Sequence, residues 1–215
     1  MFRPPTPEPV TIPGPSGTLE GIYEQPDAGG MDACAVILHP HPLAGGTMTN
    51  KVVHSVARAL QEFGLPTLRF NFRGVGASCG VFDNGRGETD DSCAAVSWLR
   101  QRCGLQALWL AGFSFGSMVA LQAAPRCQAQ RLISVAPPVG RWDFSAIPTP
   151  GCPWLIVQGD QDELVDALAV RHWAQALNPP PQMVMVPGAG HFFHGRLHDL
   201  KSAVLDFAHK KSPKH

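Results

Sequence analysis

Residues 107–124, ALWLAGFSFGSMVALQAA, constrain the fold of this chain more than any other stretch. The apolar run 107–111 is followed at once by Gly112-Phe113-Ser114-Phe115-Gly116, and then by small and apolar residues up to Pro125. A short apolar run is typical of a buried strand, and a small-residue segment stopped by proline is typical of a helix. The sequence therefore predicts a strand, a tight turn and a helix in immediate succession, with Ser114 at the turn.

The turn has the pattern G-x-S-x-G, and both glycines have a physical purpose there. Without a Cβ, Gly112 and Gly116 allow the strand and the helix to approach closely, and the serine between them is held in a strained conformation that exposes its hydroxyl above the sheet. A serine presented in this way is a candidate nucleophile. The alternative is that Ser114 only caps the helix.

Length and charge limit the classes of protein to consider. The chain has 215 residues, and its 17 Lys and Arg balance 17 Asp and Glu, so the net charge is +0. We expect one domain over residues 1–215, with a Pro-rich segment at 1–9 and a flexible basic tail at 210–215. No basic field favours nucleic acid or an anionic membrane, and no apolar run reaches the length of a membrane span.

The first thirty residues contain seven prolines and no apolar run of signal-peptide length, so we expect a cytoplasmic protein. The six cysteines include no C-x-x-C pair, and several lie in apolar stretches. Reduced thiols are therefore expected.

Strand and helix patterns alternate along most of the chain. Residues 10–12 and 19–23 flank Gly14-Pro15-Ser16-Gly17, which indicates an antiparallel hairpin. Alternation then predicts a doubly wound, mostly parallel sheet with helices on both faces. The predicted strands lie at 33–38, 67–72, 107–111, 132–136, 154–157 and 183–186, and the predicted helices at 50–63, 88–102, 115–124, 167–177 and 196–209.

Ligands of such sheets bind at the carboxyl ends of the strands, where a nucleophilic serine needs a base and a group that orients the base. The loop after the last predicted strand, PGAGHFF, offers His191. The loop after the preceding strand, GDQDELV, offers Asp160 and Asp162. The chain order is then Ser, Asp, His.

Five segments together identify a family resemblance. The chain resembles α/β-hydrolase-fold serine hydrolases, and within them the small, lidless bacterial esterase-like proteins related to dienelactone hydrolases. Dienelactone hydrolases use a cysteine nucleophile, whereas this chain has Ser114 at that place. The segments are HPHPLAGGTM at 39–48, NFRGVGAS at 71–78, the turn at 112–116, and residues 159–165 and 188–193.

The resemblance implies specific roles at the site. The acid of such proteins lies three residues after the strand-end glycine, which is Asp162 here, and Asp160 is then a structural carboxylate. Phe192 and Phe193, beside the base, either wall an acyl pocket or anchor the loop in the core. Phe192 is taken as a substrate contact, together with Leu43.

An oxyanion intermediate needs two backbone donors. One is the N–H of Phe115, the residue after the nucleophile and the first of a helix whose dipole favours negative charge. The second is expected from the loop after residue 38, where Pro40 and Pro42 have no N–H, which leaves His41 or Leu43. The resemblance favours His41.

Two other types of site are less consistent with the sequence. Five histidines could be considered as metal ligands, but no cysteine or carboxylate ligand pattern accompanies them. His39 is expected instead to be buried and to organise the oxyanion loop. The glycines of 74–80 follow a strand, but the next helix begins too late for a dinucleotide-binding turn. Arg73 is expected to be a structural partner of an acidic group or of a carbonyl. The histidines in question are His39, His41, His191, His194 and His198.

The sequence thus predicts a serine hydrolase that cleaves small carboxylic esters without a cofactor or metal, as a monomer or homodimer. The connection between residues 136 and 154 is too short for a helical lid, so an open site for small-molecule substrates is expected. Acyl transfer, thioester cleavage and peptide cleavage by the same three residues remain alternatives, as does a non-catalytic binding protein.

Overall fold

The computed structural model describes residues 7–26 and 31–210. The described residues form eight strands and five α-helices in the expected alternating order. The strands are β1 (Glu8–Gly14), β2 (Gly17–Glu24), β3 (Ala33–Leu38), β4 (Thr67–Phe70), β5 (Ala107–Phe113), β6 (Arg131–Val135), β7 (Trp154–Gly159) and β8 (Gln182–Val186). The helices are α1 (Lys51–Glu62), α2 (Arg86–Cys103), α3 (Phe115–Arg126), α4 (Ala167–Ala176) and α5 (Leu197–His209).

The strands form one sheet in the order β1-β2-β4-β3-β5-β6-β7-β8. Pairing is antiparallel between β1 and β2 and between β2 and β4, and it is parallel from β4 to β8. The predicted doubly wound sheet with an antiparallel N-terminal hairpin is confirmed. Because β3, β5, β7 and β8 are parallel, the loops that follow them meet at the same edge of the sheet.

Two apolar layers cover the faces of the sheet. Alternate residues of β3, β4, β5 and β7 pack on one face against α2, α3 and α4. The intervening residues of β3, β5 and β7 pack on the other face against α1 and α5. Both faces are therefore buried, which explains the continuous apolar runs of the central strands.

Several predicted boundaries were wrong by one or two residues, among them the ends of β5 and β7, which lie at Phe113 and Gly159 rather than at residues 111 and 157. Proline does not stop α3, since Pro125 lies inside it and the helix runs to Arg126; a proline in the last turn costs only the bond that its own N–H would make. Helix α2 begins at Arg86 rather than residue 88. Strand β4 ends at Phe70 rather than residue 72, because the N–H of Phe72 donates to the His39 ring instead of a strand.

Residues 136–153, all of which the structure describes, connect β6 to β7 without a helix. The predicted absence of a lid domain is confirmed. Residues 8 and 9, expected in the Pro-rich segment, begin β1, whereas residues 1–6 of that segment and 211–215 of the predicted tail lie outside the described residues. Within the described part of the chain, no helix is both long and apolar enough to cross a membrane.

Candidate active site

Ser114 lies between β5 and α3 with backbone angles φ 52° and ψ −121°. A non-glycine residue pays about 1–3 kcal/mol for such a conformation. Its N–H donates to the Val135 carbonyl at 2.8 Å, and its own carbonyl accepts from the Ser117 hydroxyl at 2.6 Å. The Ser114 side chain makes no capping hydrogen bond to the described residues, so capping does not explain it.

The two glycines of the turn are required by close packing. A Cβ on Gly112 would lie 2.1 Å from the Gly116 carbonyl oxygen, and a Cβ on Gly116 would lie 2.5 Å from the carbonyl oxygens of Leu38 and His39. The helix therefore starts directly against the end of β3. This contact places the Ser114 hydroxyl beside the loop that follows β3.

His191 lies in the loop after β8 and is 3% exposed. Its Nε2 atom is 3.1 Å from the Ser114 Oγ, and its Nδ1 atom is 2.8 Å from the Asp162 Oδ2. The carboxylate can only accept, so Nδ1 carries the proton and Nε2 of the neutral ring accepts from the serine hydroxyl. The His191 N–H donates to the Glu163 carboxylate at 3.0 Å, which holds the loop in place.

Asp162 is held as an anion by several donors. Its Oδ1 accepts from the N–H groups of Leu164 at 2.9 Å and Val165 at 2.8 Å. Burial alone would raise the pKa of Asp162, but the hydrogen bond and charge of His191, with those two N–H groups, hold the pKa below its ordinary value. The carboxylate is thus ionised and can stabilise a protonated imidazole.

Asp160 has a different position. Its Oδ1 accepts from the Gly188 N–H at 2.7 Å, which ties the loop after β7 to the loop after β8. The structure therefore brings Asp162 to His191 and leaves Asp160 as a loop contact.

His39 organises the loop after β3 from a fully buried position. Its Nδ1 bonds the Pro40 carbonyl at 2.7 Å, and its Nε2 accepts from the Phe72 N–H at 3.0 Å. These two bonds define the neutral tautomer with the proton on Nδ1. Burial lowers the pKa of His39 to about 4.

Two backbone N–H groups beside Ser114 have no acceptor among the described residues. They are the N–H of Phe115, the first residue of α3, and the N–H of His41. The N–H of Leu43 instead donates to the Nδ1 atom of its neighbour His41 at 3.2 Å. Of the two sequence candidates for the second oxyanion donor, His41 is therefore the one whose N–H is free.

The aromatic residues near the site differ in their burial. Phe193 is fully buried in the core, whereas Phe192 is 37% exposed and lies against the rings of Phe113 and His191. Leu43, the other predicted substrate contact, is 74% exposed. Phe192 is thus exposed beside His191, Leu43 is exposed on the loop after β3, and Phe193 anchors the loop after β8 in the core.

Sequence reasoning missed two aromatic residues, Phe82 and Trp142. Both pack against the rings of His41 and Phe115, with centroid distances from 4.9 to 5.8 Å. Phe82 lies in a polar, Gly-rich segment and Trp142 in a Pro-rich connection that also contains Phe144, and no periodic pattern distinguishes either residue. Only the fold shows that these two loops meet beside the serine.

The alternative sites do not assemble. Among the described residues, no group of three or more His, Cys, Asp or Glu side chains has the geometry to hold a metal ion. His194 and His198 lie exposed on the surface. The glycine-rich loop after β4 packs on α2 through a bidentate ion pair between Arg73 and Asp91. All six cysteines are free.

Comparison with known proteins agrees with this geometry. The sequence pattern of the α/β-hydrolase fold matches residues 36–150. An uncharacterized protein of Rickettsia prowazekii is 37% identical over 207 residues, which cover 90% of this chain and 85% of that protein. The chain belongs to the α/β-hydrolase fold family.

Solved structures of this family provide a closer comparison. An α/β serine hydrolase without a lid from Xanthomonas campestris is 44% identical, with a TM-score of 0.92 over 100% of this chain and 99% of that chain. An α/β serine hydrolase homologue from Coxiella burnetii is 45% identical, with a TM-score of 0.89 over 93% of this chain and 96% of that chain. These relatives support hydrolase activity in general.

Proposed function

We propose that this protein hydrolyses small carboxylic esters, with Ser114 as nucleophile, His191 as general base and acid, and Asp162 as the group that orients and stabilises the imidazole. The observation that carries the proposal is the continuous hydrogen-bond chain from the Ser114 Oγ through His191 to Asp162, at 3.1 and 2.8 Å. Distances of this kind allow Ser114 to transfer its proton to His191 while Asp162 stays ionised.

In the first half of the reaction, His191 Nε2 removes the proton of Ser114 as Oγ attacks the ester carbonyl. The carbonyl oxygen gains negative charge, and we assign its stabilisation to the N–H groups of Phe115 and His41, a role that their lack of an acceptor among the described residues supports. The imidazolium then protonates the leaving alcohol, and an acyl-enzyme forms.

In the second half, a water molecule gives a proton to His191 and attacks the acyl-enzyme. Collapse of the second tetrahedral intermediate releases the carboxylic acid and returns the proton to Ser114. The anionic Asp162 carboxylate stabilises the imidazolium in both halves. In the described residues the connection between β6 and β7 forms no lid, which favours small substrates over lipid aggregates.

Labelling with a fluorophosphonate probe tests the nucleophile. Wild-type protein is expected to be labelled at Ser114, and Ser114→Ala is expected to be unlabelled while folding normally by circular dichroism. Absence of label on the wild type would contradict the proposal and would favour a non-catalytic binding protein.

Two aspartate variants test the acid. Asp162→Asn is expected to lower kcat by about 10⁴-fold, because the asparagine amide stabilises the wrong imidazole tautomer. Asp160→Asn weakens one loop hydrogen bond and is expected to lower the free energy of unfolding by about 1 kcal/mol with little effect on kcat. The reverse pattern would transfer the role to Asp160.

A panel of esters, thioesters and amides with matched acyl groups tests the leaving group. Esters of short acids are expected to have the highest kcat/KM. A higher value for thioesters or amides would redirect the proposal to those bonds, and faster turnover with added alcohol would redirect it to acyl transfer.

A further inference from the structure

Gln158 places an amide directly against the acid of the site. It lies in β7, is fully buried, and its Nε2 is 2.9 Å from the Asp162 Oδ2. That oxygen also accepts from His191 Nδ1, so Gln158 and His191 donate to the same atom. A weaker contact of Nε2 reaches the Gly159 carbonyl at 3.3 Å.

The other end of the same amide has no partner. Gln158 Oε1 is buried without a hydrogen bond to any described residue. Gln61, another buried glutamine, differs in that its oxygen accepts from Arg58 and its nitrogen donates to Thr67. The amide of Gln158 is therefore held only from its nitrogen end, at the carboxylate.

The anionic carboxylate also defines the orientation of this amide. In the opposite orientation, Oε1 would face the Asp162 Oδ2, and two acceptors would lie against each other with no proton between them. Side chains of β7 on the same face are Trp154 and Ile156, which belong to the apolar layer. A polar residue in this layer requires a partner, and the partner is the acid.

We propose that Gln158 is a positioning residue for the reaction. It holds the Asp162 carboxylate in place and, by donating to Oδ2, reduces the negative charge that this oxygen presents to His191. This inference rests on the proposed function. Of the other charged groups of these loops, Glu163 accepts the His191 N–H, and Asp160 accepts the Gly188 N–H. Asp166 caps α4 by accepting the Leu168 N–H, and Arg196 pairs with Asp199. None of the four hydrogen-bonds to the shared oxygen.

Removal of the amide has a defined electrostatic consequence. With one donor fewer, more negative charge remains on Oδ2, and the protonated form of His191 is stabilised. The acid limb of the pH–rate profile, where the rate rises as His191 loses its proton, should then move to higher pH. The carboxylate also loses one of its restraints, so the maximal rate should fall about tenfold or more.

The experiment measures the second-order rate of fluorophosphonate labelling at Ser114 against pH. This readout needs no knowledge of the natural substrate. Gln158→Met, which keeps the volume and removes the donor, is expected to show a lower plateau and an acid limb shifted to higher pH. Gln61→Met, which removes a buried amide far from the site, is the matched control and should leave the limb unmoved.

A second variant keeps the test valid if Gln158→Met folds poorly. In Gln158→Glu, the protonated carboxylic acid can donate to Oδ2 as the amide does, whereas the ionised form repels it. Labelling of Gln158→Glu is therefore expected to approach the wild-type rate at low pH and to decline as the new carboxyl ionises. Gln158→Met should show no such decline.

The outcomes distinguish this inference from the proposed function. If wild-type protein is not labelled, the proposed function fails. If wild-type protein is labelled and both Gln158 variants match its plateau and its acid limb, the positioning role is overturned while the proposed function stands. A lower plateau with an unmoved acid limb in both variants would also overturn it, since loss of folded protein alone gives that result.

Discussion

Among single residues, His39 connects the oxyanion loop to the sheet through a neutral imidazole. Its ring donates to the Pro40 carbonyl and accepts from the Phe72 N–H, and both bonds require one proton on the ring. Burial lowers its pKa from 6.5 to about 4. A second proton would remove the acceptor for Phe72 and place a charge in the core.

This burial predicts how stability depends on acidity. Between pH 6.5 and about 4 the unfolded chain binds a proton at His39 and the folded chain does not, so the free energy of unfolding should fall as the pH is lowered through this window. The size of the pKa shift corresponds to roughly 3 kcal/mol. Above pH 6.5 this residue should contribute no slope.

Urea unfolding at a series of pH values measures this effect, with His39→Gln as the comparison. Glutamine can donate and accept without titrating, so the variant is expected to lose less stability than the wild type between pH 6.5 and 4. Equal slopes for the two proteins would show that His39 is not the group responsible.

At the scale of elements, a buried ion pair holds the loop after β4 against α2. The Arg73 side chain donates to the Asp91 carboxylate from Nε at 2.9 Å and from Nη2 at 2.7 Å. The backbone N–H of Arg73 donates to the same carboxylate at 3.1 Å. Packing is tight enough that a Cβ on Gly87 would lie 1.9 Å from the guanidinium. The same loop continues to Phe82, beside the oxyanion loop.

Two adjacent aspartates of α2 permit a controlled test of this pair. Asp91→Asn leaves the buried Arg73 charge uncompensated and is expected to lower the free energy of unfolding by about 3–5 kcal/mol. Asp90 pairs with Arg126 on the surface, where both side chains are about half exposed, and Asp90→Asn should cost less than about 1 kcal/mol. Denaturant titration of both variants is the measurement, and similar losses would contradict the assigned difference in burial.

For the whole molecule, the sheet order determines which loops meet. Strand β5, which Ser114 follows, lies between β3 and β6 in the sheet. The oxyanion loop follows β3. Strands β7 and β8 lie beyond β6, and the loops that follow them carry Asp162 and His191. Three separate loops therefore meet at one sheet edge. The connection after β6 contains no helix, so no helical lid covers the serine in the described chain, and Ser114 is partly exposed.

An uncovered site predicts the absence of interfacial activation. With a short-chain triglyceride, the initial rate should rise hyperbolically with concentration and continue smoothly through the solubility limit, because no lid has to open at a lipid surface. An abrupt increase in rate above that limit would show that a part of the chain closes over the site.

Local patterns predicted most of the elements because their causes are local. Continuous apolar runs mark strands that are covered on both faces, and helical spacing marks one-sided helices. The errors occurred where a tertiary contact competes, as when His39 takes the N–H of Phe72 and shortens β4. The sequence also indicated the three strand ends of the site, since glycine-rich loops after apolar runs are visible without a fold.

Choices between neighbouring residues depended on tertiary structure. Asp160 and Asp162 are two residues apart with the same chemistry, and only the packing of two loops brings Asp162 to His191. Gln158 has no motif of its own, and its relation to the acid exists only in three dimensions. The sequence by itself determined the succession of strands and helices along the chain, the turn at Ser114 and the candidate types of residue, because these follow from short-range periodicity and sterics. The tertiary structure alone decided which atoms meet, because hydrogen bonds between loops depend on distances that no local pattern encodes.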